Sequence, residues 1–217
     1  MGKKGKDSEK KLHTAPEYFQ HFMEQFQEET DRAAVILGAA KLDSLLYDLL
    51  VRVLRPSTSG ADDLLDGEAP LSTFSAKIRI CYRLNVVDDE FARALHLVRR
   101  IRNDFAHETS AKSLNEGGHR DRVKALVAPL REYEPFNMSI RVLMEDTKHR
   151  GPAADFRAAL AVMIVPLEMG AEAISYMRPE LTLRLRVADV VRRPASPAPS
   201  KSKRSRGSKS SPHGSAP

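Results

Sequence analysis

The sequence predicts an all-α protein, a single compact helical bundle with disordered basic tails. Three observations predict it. Apolar residues recur at spacings of three and four in several long segments, as in Val35, Ala39, Leu42, Leu46, Leu49, Val53 and again in Phe91, Leu95, Val98, Ile101, Phe105. Leu, Ala, Val, Arg and Glu dominate, and apolar-polar alternation is confined to one brief stretch. The basic charge collects at the two ends, which cannot build a core. The 217 residues, 41% of them hydrophobic, suffice for one sizeable core. The expected division is a Lys-rich tail over 1–14, a helical domain over 15–190, and a Pro/Ser-rich basic tail over 191–217.

Taken in order, Pro16 opens a helical pattern whose apolar edge is Phe19, Phe22, Met23 and Phe26. Thr30 is placed to cap the next helix, with Asp31 favourable in its first turn. That helix has a wide apolar face, which predicts a central position. Gly38, Ala39 and Ala40 allow a second helix to come close. Arg55-Pro56 ends it. A loop follows, and Ser72 or Thr73 then caps a helix bearing Phe74, Ile78 and Cys81, from which Lys77 and Arg79 are expected to project into solvent, with a place for Lys77 at the border of a polar cleft as the alternative. Asp88 or Asp89 caps the segment ending LHLVRRIRNDFAH. The polar stretch through Gly117-Gly118 reads as a loop. A helix over 121–133 is bent by Pro129, and residues 135–152 read as a connection. Pro152 starts a strongly apolar helix that Pro166 should kink. Residues 181–187 fit either a strand or a last helix.

Composition excludes several function classes. The single cysteine, Cys81, rules out an internal disulfide and a multi-cysteine metal site. It suits a reducing compartment, and with no secretory signal a cytoplasmic protein is expected. No apolar run reaches the ~20 residues that span a bilayer, so no membrane role is expected. No zinc-ligand spacing or glycine-rich phosphate loop occurs, so neither a metal nor a cofactor is expected. The net charge is +6, but residues 1–12 carry +3 and residues 192–217 carry +7, leaving about −4 for residues 13–191. This argues against a domain-wide basic surface. It leaves weak, salt-sensitive nucleic-acid contact to the tail through Lys201, Lys203, Arg204, Arg206 and Lys209.

The candidate site lies in Leu95 to His107. At about 100° per residue, Arg102 falls about 40° from Val98, on the apolar stripe. A guanidinium buried there needs an anionic partner, and Asp43 or Asp31 would serve. The polar residues that this placement gathers are Asp31, Arg32, Asp43, Lys77, Arg99, Arg102, Asn103, Asp104 and His107. Arg102 and His107 stand about 140° apart on an ideal helix and would converge only if the helix ended or distorted near Phe105.

Three stretches, EETDRAAVILGAAKLDSLL at 28–46, PLSTFSAKI at 70–78 and IRNDFAH at 101–107, resemble the mannitol operon repressor family. The resemblance implies a compact helical regulator without an obvious DNA-reading motif, acting through a protein partner or as a homodimer. Arg102 to His107 is also similar to the arginine–x4–histidine signature of HEPN-type RNases and toxins. That likeness implies metal-independent RNA cleavage, with Arg102 holding a phosphate, His107 as acid or base, and Asn103 orienting the histidine or donating to a developing negative charge. The regulatory reading is preferred, and catalysis is the alternative.

Overall fold

The computed structural model describes residue 26 and residues 29–58, 60–107, 113–146 and 149–173. These form six α-helices and one 3-10 turn, with no strand among the described residues. The helices are α1 (Asp31–Val53), α2 (Phe74–Arg83), α3 (Asp89–His107), α4 (Gly117–Val127), α5 (Glu134–Asp146) and α6 (Pro152–Ala173), the turn being Ala128–Leu130. The Phe19, Phe22 and Met23 edge, the 181–187 segment and both tails lie outside the described residues. Phe26 is described, and it is helical and buried.

Helix starts follow the expected caps. Thr30 Oγ1 accepts from Ala33 N–H at 3.2 Å, Thr73 Oγ1 from Ala76 N–H at 3.1 Å, and Asp88 Oδ1 from Phe91 N–H at 2.8 Å. Each satisfies a first-turn N–H that has no acceptor within its helix. Helix α6 is capped from a distance, because Asn115 Oδ1 accepts from Ala153 N–H at 3.1 Å. The α2–α3 turn uses Asn85 at φ 56°, a conformation asparagine tolerates better than most residues.

Helices α1 and α6 form the centre. Helix α1 packs against α6, α3 and α2, while α6 also covers α4 and α5. Ten of the 23 residues of α1 are buried, which matches its predicted central place. Gly38 lets α6 approach closely, with the side chain of the fully buried Leu160 lying where a Cβ would stand. No described helix is long and apolar enough to cross a membrane.

Two expectations of the sequence reading are corrected. Gly117-Gly118 opens α4 instead of forming a loop, and residues 134–146 form α5 instead of a connection. Pro135 sits in the first turn of α5, where a missing N–H removes no intrahelical bond. Helix α6 also continues through Pro166 to Ala173.

Cys81 lies fully buried, and that burial pushes its thiol up to about 12, against a weak opposing pull from Lys77. The thiolate is the reactive form. Folded protein at mildly alkaline pH should therefore resist iodoacetamide and react only in denaturant, which mass spectrometry of the alkylated chain would read. Modification of the native chain at the rate of a free thiol would contradict this burial.

Candidate ligand cleft and adjoining arginine groove

An open cleft of about 570 Å³ lies where α1, the start of α2 and the end of α3 meet. Helix α1 supplies Asp43, Ser44 and Tyr47, the cap of α2 supplies Ser72 to Ser75 and Lys77, and α3 supplies Arg99, Arg102 and Asn103. The three stretches at 28–46, 70–78 and 101–107 thus each contribute a wall. Sequence position alone could not show that they meet, since they lie on three separate helices.

Charge pairing inside the cleft differs from the expected pattern. Lys77 borders the cleft instead of standing in solvent, is only 5% exposed and sets its Nζ 2.8 Å from Asp43 Oδ1. The contact is an ion pair without hydrogen-bond alignment, since Asp43 Oδ1 accepts no directed bond. The Tyr47 ring lies 5.8 Å from the same ammonium, and its hydroxyl donates to Asp66 Oδ1 at 2.9 Å. Arg102, expected on the buried stripe beside Asp43, is exposed, and its Nη1 donates to Asn103 Oδ1 at 3.2 Å. Its place 40° off the stripe centre is the edge of that stripe, and its long stem carries the charged head out to water. Arg99 Nε is buried without an acceptor. With Asp43 occupied by Lys77, Arg99 and Arg102 leave the cleft cationic and rich in hydroxyls.

The other expected site residues lie elsewhere. Asp31 pairs with Arg157, Nη1 to Oδ1 at 3.0 Å, and not with Arg102. Asp104 pairs with Arg122 of α4. Arg32 is exposed in the first turn of α1. His107 is exposed in the last turn of α3, where a protonated imidazole would favour the helix dipole. Helix α3 stays α-helical through His107, so the distortion needed to bring Arg102 and His107 onto one phosphate is absent from this chain. No described cluster of three His, Cys, Asp or Glu could hold a metal ion.

Sequence reading also missed a second open groove, of about 560 Å³, between α2 and α3. Arg79, Tyr82 and Arg83 line it from α2, and Arg93, His96 and Arg100 from α3. The signal was present in the spacing, since 93, 96 and 100 share one helical face. Among the described residues, none of these four arginines lies within ion-pair distance of a carboxylate. Partial burial holds His96 below the usual histidine pKa, and Arg99, Arg79 and Arg100 push it lower still. The protonated form is therefore disfavoured in the folded chain. As pH falls below about 6.5, the unfolded chain takes up this proton first, so stability should decline through that range and His96→Gln should flatten the decline. Urea titrations of both proteins across mildly acidic pH would read it, and parallel curves would contradict it.

Neither the scan of family models nor the search of curated proteins finds a match for this chain. Among solved structures, the chain is similar to one from the X-ray structure of the MtlR–HPr complex from Escherichia coli, with 18% identity and a TM-score of 0.50. The likeness covers 69% of this chain and 98% of that one, and at this identity it establishes a shared helical fold.

Proposed function

We propose that this chain is a regulatory, partner-binding protein of the mannitol-operon-repressor type, and that the cleft between α1, α2 and α3 is where it recognises its partner. The observation that carries this reading is convergence. The three stretches that resemble the repressor family are far apart in sequence, yet each contributes to one cleft. The similar solved chain comes from a complex of MtlR with HPr, which supports a protein partner for this chain. The cleft suits recognition more than catalysis. It gathers donors and hydroxyls, and its one carboxylate, Asp43, is occupied by Lys77. Arg102 at its edge bonds only the neutral amide of Asn103, so its guanidinium can turn to a partner's carboxylates or carbonyls.

Calorimetric titration with the HPr of the same organism tests this. Micromolar binding is expected, weakened at least tenfold in Arg102→Ala/Asn103→Ala with unchanged thermal stability. Absence of binding, or full binding by the double variant, would remove the cleft from the account. The reading also expects no selective duplex operator, and tight sequence-selective DNA binding by residues 15–190 would overturn it.

A further inference from the structure

From the second groove we infer an additional binding site: the arginine-lined face of α2 and α3 takes single-stranded nucleic acid, with arginines on the phosphates and Tyr82 stacking on a base. This goes beyond the protein-partner reading and uses different residues.

The charge distribution comes first. Residues 74–103 carry a net +4, whereas the rest of residues 13–191 carries about −8. The basic residues of that segment divide between two faces, and Arg79, Arg83, Arg93 and Arg100 are those that line the groove. Four arginines line the groove against one acid, Asp89. Arg79 Nη2 donates to the Ser75 hydroxyl, a neutral partner, at 3.1 Å. Positive charge left without internal anions is drawn to external ones. Burial is the main reason that His96 lies below the usual histidine pKa, and Arg99, Arg79 and Arg100 press it further in the same direction.

The chemistry then selects the anion. Every permanent cation lining the groove is arginine, whose planar fork matches phosphate oxygens two at a time. Tyr82 is 46% exposed between Arg79 and Arg83. An exposed ring in a groove lined by guanidinium groups is the combination that holds unpaired bases over a tracked phosphate backbone. Stacking on Tyr82 also needs an unpaired base, which a duplex does not offer.

The test is fluorescence anisotropy of the full chain with labelled oligothymidylate of about twenty nucleotides over a range of salt, with polyglutamate as competitor. The wild-type chain should bind. Arg93→Ala/Arg100→Ala should weaken binding at least tenfold and lower the salt dependence by about one to two ions. Tyr82→Ala should weaken it about tenfold at unchanged salt dependence, and Tyr82→Phe should restore it. Arg79→Gln/Arg83→Gln probes the opposite wall should the first pair unfold. Three results would overturn the inference. The wild type may fail to bind; both arginine pairs may bind with wild-type affinity and salt dependence, which assigns binding to Lys201–Lys209; or polyglutamate may compete charge for charge while Tyr82→Ala has no effect, which makes the face a dock for an acidic protein.

Discussion

Replacing Asp31 with alanine is expected to lower folding stability by about 3–5 kcal/mol, the range seen when one partner of a buried ion pair is removed. Arg157 is fully buried. Its Nε donates to the Phe26 carbonyl at 3.2 Å, its Nη2 to Glu29 at 2.7 Å, and its Nη1 to Ala153 at 3.0 Å. Those carbonyls satisfy N–H groups but do not cancel the charge. Asp31 is the carboxylate in contact that does, with a smaller pull from Glu29, and burial draws the guanidinium pKa down against both. The other Asp31 oxygen accepts from Leu114 N–H at 2.9 Å and Ser113 Oγ at 3.3 Å. One side chain thus ties the start of α1 to α6 and to the segment before α4. Urea denaturation of Asp31→Ala should show the full loss. Asp31→Leu/Arg157→Met, which removes both charges, should recover a large part of it. A loss below about 1 kcal/mol for the single variant would mean that Arg157 finds another anion.

Gly38→Val is expected to cost about 2–4 kcal/mol through overpacking, with the helix penalty of β-branching adding to it. A Cβ at position 38 would stand 2.3 Å from Leu160 Cδ1 and 3.1 Å from Cδ2. Leu160 is fully buried, so accepting the new group requires its side chain to repack among buried neighbours or α6 to shift. Gly38→Ala should lose less, because alanine regains up to about 1 kcal/mol of helix propensity. Shortening the neighbour tests the cause: the cost of Gly38→Val measured in a Leu160→Ala background should shrink by at least about 1 kcal/mol. Equal costs in both backgrounds would place the strain elsewhere.

These two sites show where sequence reasoning reached and where it stopped. Gly38 was legible as a point of close helix approach, because small residues in a wide apolar face have few other uses. Helices α1, α3 and α6 were legible from apolar periodicity. Helix α5 was not, since Pro135 and the polar Asn137 and Ser139 mask the spacing of Phe136 and Ile140. In the cleft, sequence reasoning named Asp43, Lys77, Arg99, Arg102 and Asn103 but assigned Asp43 to the wrong cation. The angle between residues on one helix is fixed by sequence, whereas which of two cations reaches an acid on another helix depends on how the helices are rotated and spaced. Arg157 went unnamed within its apolar run, although a lone cation among Phe156, Ala158 and Ala159 is itself a sign of a buried pair. The tails drew attention as the basic part of the chain, and averaging the charge over residues 13–191 concealed the arginines of α2 and α3.

The charges of this chain divide into those that hold the fold, centred on Arg157 and Asp31, and those of α2 and α3 that we assign to ligands. The most direct measurement is a nitrogen-detected NMR titration of the arginine side-chain N–H signals with oligothymidylate. The account predicts that the signals of Arg79, Arg83, Arg93 and Arg100 shift together while that of Arg157 stays fixed. Shifts confined to arginines of residues 192–217, with the four groove signals unmoved, would contradict it.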